Sequence, residues 1–451
     1  MNRYAFLIAA LFASPAFGQP AVLSLRQAME YARDHQPSLI AARARVEVAR
    51  AQAMVPEAAK AFRVGAAAEI LGGTNNNTTA SYATLGFLDV ARIGGTPANA
   101  AVSWAPDVST LAGISVHKEL YDFGRLDLLA DAFGTQARAA NETAVAAALD
   151  LDLLVEESFY AVQGAKAVLA ASQAAVTRST THRDFARARV NAQLMPPIEL
   201  TRAEADLARY QVDQVRAQGA LSTAQAVLAA AIGSASPAVD AGTDDVVLRE
   251  PGREALGDVE NRSPELRAAR DQLDAQRLFT RSIHAELRPD LGLSAELTGR
   301  AGGATVTTNP TPTGAGFIPD VPNWDALVVF TWPLYDRVVT ARADTSSRLE
   351  AVRAAELQQV SEEVRSVAEQ TFVELDVERA AQPALQRAVD AATDNHAQAE
   401  ARFNGGLGTA VELSDAEALL TEAQIQLAVG QFQLSRARAR LARVFAESIT
   451  K

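Results

Sequence analysis

The sequence predicts a mixed α and β membrane protein, with a few β-strands crossing a membrane and long coiled-coil α-helices outside it. Three observations predict this. The chain opens with a secretory signal; it carries one plan written twice; and each copy joins strand-length alternating segments to a very long heptad helix.

Residues 1–18 supply the signal. Arg3 provides positive charge, Tyr4 to Ala13 form a short apolar run, and Ala16 and Gly18 are small residues at the positions a signal peptidase reads. The run is shorter than the roughly 20 apolar residues of a spanning helix, so it predicts a leader cut after Gly18 rather than an anchor. The formal net charge is −12. An acidic balance argues against a nucleic-acid partner, which would want a basic patch. The chain has no cysteine, so the fold is not stapled by disulfides and has no cysteine to lipidate. No later segment offers about 20 continuous apolar residues; the best, from Ala144 to Val155, is interrupted by Asp150 and Asp152. Insertion must therefore use β-strands closed into a barrel.

The two copies align with a nearly constant offset. Arg189-Val190-Asn191 matches Arg402-Phe403-Asn404, Ile198-Glu199-Leu200 matches Val411-Glu412-Leu413, and Ala203-Glu204-Ala205 matches Ala416-Glu417-Ala418. Leu120-Tyr121-Asp122 recurs as Leu334-Tyr335-Asp336, and Pro37-Ser38-Leu39 resembles Pro264-Glu265-Leu266. The reading is a first repeat over 19–232, a linker or mid-barrel belt over 233–257, a second repeat over 258–446 and a tail over 447–451.

Each repeat has the same order. Its first helix starts at a cap, Ser24 with Gln27 or Ser263 before Pro264, and is expected to end near Pro56 or Pro289. Strands follow, over 63–71 and 108–120 in the first repeat and over 291–300 and 325–334 in the second. Val328, Phe330, Trp332 and Leu334 alternate with their neighbours at strand period. Trp104, Tyr121, Trp324, Trp332 and Tyr335 sit around the strand ends, where a membrane barrel places its interfacial rings. A soluble antiparallel sheet is the other reading of the same alternation.

Long helices come next, over 125–190 and 337–403. Leu151, Val155, Ser158, Val162, Ala165, Leu169, Ser172 and Val176 step by four and three, which is heptad spacing and calls for a helical partner. About 66 helical residues span about 100 Å. The return helices, 199–232 and 411–446, span only about 50 Å each, so one long helix is matched by a return helix stacked end to end with the repeat's first helix.

The chain resembles the TolC family of outer-membrane efflux proteins. The resemblance covers nearly the whole mature chain. It rests on Ser24-Leu25-Arg26-Gln27-Ala28, Gln36-Pro37-Ser38-Leu39, Leu120-Tyr121-Asp122-Phe123-Gly124-Arg125, Pro333-Leu334-Tyr335-Asp336, and the turn Arg402-Phe403-Asn404-Gly405-Gly406-Leu407-Gly408-Thr409 followed by Glu412 and Asp415-Ala416. It implies a homotrimer whose four strands per chain close a twelve-stranded barrel, continued by a periplasmic α-helical barrel. It also implies outer-membrane lipid around the barrel, and a periplasmic membrane-fusion adaptor and inner-membrane efflux pump as partners. The adaptor would dock on the two tip turns, Gln193-Leu194-Met195-Pro196-Pro197 and Gly405-Gly406-Leu407-Gly408-Thr409. The resemblance further implies an acidic gate at Glu412 and Asp415, where six carboxylates around one opening would favour cations. Two departures stand out. The first tip turn lacks the glycine usual there, and Asp336-Arg337 has no glycine between strand and helix.

Plainer readings compete with some of these roles. Thr409 with Glu412 is also a capping box. Arg189 and Arg402, at the ends of the descending helices, either compensate the helix dipole or hold the tip shut by salt bridges. No enzyme, cofactor or metal is expected. His35, His117, His182, His284 and His396 lack metal-ligand spacing and read as surface or interface residues, and no glycine-rich loop carries a phosphate-binding lysine. The main alternative function is a soluble periplasmic coiled-coil adaptor, and a further one is a surface stalk.

Overall fold

The computed structural model describes residues 21–74, 104, 106–236, 239–243, 251–302, 318 and 321–446. The expected signal peptide and tail lie outside the described residues. The chain divides into two compact units. One comprises residues 1–45, 141–267 and 358–451, the other 46–140 and 268–357. Each unit draws on both sequence copies. Among the described residues no helix is long and apolar enough to cross a membrane.

The second unit carries the sheet. β2 (Arg63–Thr74), β3 (Pro106–Tyr121), β5 (Asp290–Gly302) and β6 (Val321–Thr331) pair antiparallel in the order β2-β3-β5-β6. The last strand starts earlier and stops sooner than the alternation suggested. Pro322 falls at its second residue, close to the strand start that proline tolerates. Trp332 and Leu334 therefore lie beyond it, in the passage to the next helix.

Register fixes the two faces of this sheet. Val64 pairs with Val116, Ala66 with Ile114, Ile114 with Leu297, Ala295 with Ala326, Leu293 with Val328 and Leu291 with Phe330. Directly opposed residues share a face, so one face is almost wholly apolar, and Val64, Ile114, Leu297, Val328 and Phe330 on it are exposed. Lys118 is the exception; its ammonium lies 4.5 Å over the Phe62 ring. The other face carries Ser115 opposite Glu296, His117 opposite Ser294, and Asp325 opposite Glu296.

Helices flank the strands. α2 (Pro37–Ala59) leads into β2, α6 (Pro264–Ala285) into β5, and α3 (Arg125–Asn191) and α7 (Arg337–Asn404) leave β3 and β6. Two sequence expectations need correction. The first helix is not continuous over 24–56: α1 (Leu25–His35) ends before Gln36, whose ψ of 118° is the extended geometry that a residue preceding proline prefers. Nor does Pro56 end α2, which runs on to Ala59; so near the C-terminus, proline interrupts only the last turns. The second counterpart stops at Ala285, four residues before Pro289.

The strand-to-helix passages also differ. In the first copy Phe123 and Gly124 both take left-handed backbone, with φ 52° and 84°. The Asp122 carboxylate accepts from the amides of Gly124 and Leu126. The second copy omits these two residues, and Asp336 accepts directly from Val338 and Val339.

The first unit is built on helix seams. Leu151, Val155, Ser158, Val162 and Leu169 are all buried, and Val155, Phe159 and Val162 pack with Leu25, Met29, Leu228 and Ile232. Short parallel strands β1 (Ala21–Leu23) and β4 (Val239–Ala241) join the chain's start to the linker. Lys166 on α3 holds Asp240 at 2.7 Å and donates to the Ala241 carbonyl. The linker then forms a 3₁₀ turn over Arg253–Asp258 and one turn of helix, α5 (Val259–Arg262). The return helices are α4 (Pro197–Ala231) and α8 (Ala410–Val444).

Candidate functional site

In the first unit the α3–α4 and α7–α8 turns lie side by side. Phe403 and Leu413 are buried with Ala410, and Phe185, Met195 and Ala399 pack against them. The Phe185 and Phe403 ring centroids are 5.4 Å apart. Ser414 on α8 donates to Asp206 on α4 at 2.7 Å, and Arg178 on α3 donates to Thr421 on α8 at 3.1 Å. The two hairpins are therefore one packed body.

Each turn closes in the same way. The amide of Leu194 donates to the Arg189 carbonyl and that of Gln193 to Val190. The amides of Leu407 and Gly406 donate in parallel fashion to Arg402 and Phe403. This is the Schellman pattern, whose pivot residue is left-handed. Gly406 supplies it at φ 74° and Gln193 at φ 62°. The missing glycine of the first turn is thus replaced by a side-chain-bearing residue in the same conformation. Pro196 and Pro197 then start α4, with Pro197 at the first helical position, where its missing N–H costs nothing. The Schellman pattern commonly folds an apolar residue at the Leu194 and Leu407 position back onto the helix. Here these leucines are 74% and 79% exposed.

The charged candidates separate by role. Arg189 donates to the Asn404 carbonyl at 3.4 Å, linking the end of α3 to the end of α7. Arg402 donates to the Leu407 carbonyl of its own turn and lies 3.8 Å from the Glu412 carboxylate. Both are at helix C-termini, where their charge compensates the helix dipole. Thr409 caps α8 by accepting from the Glu412 amide at 3.2 Å. Glu412 and Asp415 are exposed on one side of the first α8 turn.

One part of the site was missed by sequence reasoning. A cavity of about 430 Å³ behind the turns is lined by residues including Arg178, His182, His396, Glu400 and Glu417. His182 and His396 were read as surface or interface residues. Instead His182 is buried against the Phe403 ring and the His396 side chain is nearly buried. The Glu417 Oε1 lies 3.8 Å from His396 Nε2. Burial, opposed by the Arg178 and Arg209 charges and reinforced by Asp206 and Glu400, pushes the Glu417 carboxyl up to about 7. A signal existed in the repeat itself. The equivalents of Glu400 and Glu417 in the first copy are Arg187 and Glu204, an exposed ion pair at 3.1 Å. Asp415 likewise replaces Arg202, which lies 3.9 Å from Glu199. The second hairpin thus carries acids where the first carries arginines.

The predicted ring residues fall at both ends of the sheet. Tyr121 closes β3, and Trp332 and Tyr335 follow β6, at the helix-proximal end. Trp324 is the fourth residue of β6, and Trp104 precedes β3. All five are exposed.

A sheet with one exposed apolar face and one polar face, joined to long helical hairpins, defines a channel-forming outer-membrane chain. The chain belongs to the outer membrane efflux protein family, whose pattern it matches over residues 28–234 and 255–447. This places it in the outer membrane as a transport duct and sets aside the soluble adaptor and the stalk. No curated protein sequence matches it. Among solved structures, a membrane protein from Pseudomonas aeruginosa is 19% identical, with a TM-score of 0.78 over 100% of this chain and 98% of that one. The outer membrane protein VceC of Vibrio cholerae is 18% identical, with a TM-score of 0.75 over 94% and 96%. The open state of the Neisseria gonorrhoeae MtrE outer membrane channel is 17% identical, with a TM-score of 0.73 over 95% and 90%. These likenesses establish a shared fold.

Proposed function

We propose that the chain is the outer-membrane exit duct of a tripartite efflux or type I secretion system, passively conducting substrates delivered by an inner-membrane pump. One observation carries this reading. The β2-β3-β5-β6 sheet has an apolar face fit for lipid, yet β2 and β6 have no further strand beside them among the described residues. Unpaired strand edges are not tolerated in hydrocarbon. Pairing β6 of one copy with β2 of the next satisfies both edges, and such head-to-tail contacts close into a ring. Three copies would give twelve strands, with the Glu296 and Asp325 face lining the lumen.

The paired turns support the rest of the reading. Exposed Leu194 and Leu407 offer matched apolar contacts to a periplasmic membrane-fusion adaptor. Gln193, Met195, Pro196, Pro197, Gly405, Gly406, Gly408 and Thr409 hold those contacts in place. Glu412 and Asp415 form the acidic, iris-like gate, and Arg189 and Arg402 tie the turns down. The test is outer-membrane fractionation with sizing of the detergent-extracted protein. A trimer in the outer membrane is expected; a monomer released with soluble periplasm overturns the proposal.

A further inference from the structure

The cavity behind the turns brings an acid and two bases together from three helices. Glu417 on α8 is 4% exposed and His182 on α3 is 7% exposed. His182 Nε2 is buried without a hydrogen-bond partner, as is Ser179 Oγ one turn before it on α3. Charged neighbours face the group from every helix packed on it: Arg178 from α3; Glu199, Asp206 and Arg209 from α4; Glu400 from α7. Where the first copy resolves this position with the Arg187–Glu204 ion pair, the second sets Glu400 against Glu417. Arg178 of α3 and Arg209 of α4 offset the burial of Glu417 only in part, and His396 Nε2 lies 3.8 Å from its carboxylate. An ionised carboxylate is costly in such a place, and so is a charged imidazole.

We propose that Glu417, His396 and His182 form a protonation latch: packing of the two tip hairpins favours their uncharged forms, and parting of the hairpins, which wets the cavity, favours the charged ones. The inference rests on the turns being a gate. Its consequence is a pair of opposed proton linkages. Burial raises the Glu417 carboxyl, so packing retains a proton there that opening releases. Burial lowers both imidazoles, Arg178 adding to the effect at His396, so opening takes protons up. The acid alone would make opening favoured by alkali, the histidines alone by acid. Together they hold the packed state nearly level across neutral pH.

The test is hydrogen exchange of the segments 396–404 and 410–421, corrected for intrinsic rates, on the full chain in detergent between pH 6 and 9. The unmodified protein should show a shallow profile. In Glu417→Gln, opening should rise several-fold from pH 8 to pH 6, because the lowered imidazoles are then uncompensated. In His182→Gln with His396→Gln, it should instead rise roughly tenfold from pH 6 to pH 9. Variants that keep the parent profile overturn the latch. If Glu417→Gln does not assemble, the single histidine variants decide by whether each tilts the profile toward alkali. Planar-bilayer conductance of the same samples judges the gate separately: a conducting channel with unchanged variant profiles sinks the latch alone, whereas absence of conductance sinks the duct.

Discussion

Gln193 and Gly406 occupy the same step of the two tip turns, 213 positions apart, and both hold left-handed backbone, at φ 62° and 74°. A side chain in that region costs roughly 1–2 kcal/mol, which glycine escapes. The first turn therefore stores strain that the second does not. Nothing lies within 4 Å of a Cβ added at Gly406. Gly406→Ala should thus cost about 1 kcal/mol from the backbone alone, seen as faster hydrogen exchange at 403–409. At Gly408 the added Cβ would meet Arg402 Cβ and the Phe403 nitrogen at 3.1 Å and the Glu412 carboxylate at 3.2 Å. Gly408→Ala should disturb the gate acid as well as the turn. Equal exchange in the two variants would contradict this distinction.

The face assignment of the sheet makes a sharper prediction. Val328 and Phe330 share the apolar face with Leu293 and Leu291, whereas Leu327 lies opposite Ser294 on the polar face. Val328→Arg, midway between Trp324 and Trp332, should cost about 2–4 kcal/mol in lipid near the bilayer midplane and sharply reduce trimer yield in outer-membrane fractions, with a smaller loss for Phe330→Arg nearer the aromatic end. Leu327→Arg should be milder, since it shares the polar face with Ser294, the side proposed to line the lumen. Equal yields from all three would reverse the assignment of the faces.

How much of this was legible in the sequence depended on whether a feature repeats along the chain. The heptad run from Leu151 to Leu169 announced the buried seam of α3, and alternation around Val328 located β6, because both patterns are set by local geometry. The β1–β4 pair was invisible: three residues carry no period, and the pairing joins Val22 to Asp240 across the whole first repeat. The break at Gln36 was obscured because apolar spacing continues on both sides of it. The burial of Glu417 was hidden for another reason. An isolated glutamate in a helix reads as solvent-facing, and only the neighbouring helices, with Glu400 where the first copy has Arg187, make it otherwise.

The arginines of the turns should affect gating more than stability. Arg402 and Glu412 are both about half exposed and 3.8 Å apart, so their pair is worth less than about 1 kcal/mol. Arg402→Ala and Arg189→Ala should leave thermal unfolding nearly unchanged while raising open-channel time several-fold in planar bilayers. A large loss of thermal stability without a change in gating would show a purely structural role. If Glu412 and Asp415 form the proposed acidic gate, replacing both by alanine should instead lower the preference for cations, while the Thr409 cap on the residue-412 amide is kept.

Glu156 predicts how the stability of the first unit varies with pH. This α3 residue is buried, with Oε2 unpartnered. Burial, with Asp152 and Glu157 adding like charge, pushes its carboxyl up to about 8 from an ordinary 4.5. The folded protein then holds a proton that the unfolded chain has released, so stability falls as pH rises between those two values. Below about 4.5 both states are protonated and this residue contributes no pH dependence; above about 8 both are ionised and its full cost, on the order of a few kcal/mol, persists. Glu156→Gln keeps the shape and removes the titration. It should raise the thermal midpoint at pH 8.5 and leave it little changed at pH 4.5. Thermal unfolding of both proteins at the two pH values checks this, and a gain at acid pH as large as that at alkaline pH would mean that glutamine improves packing rather than removing a buried charge.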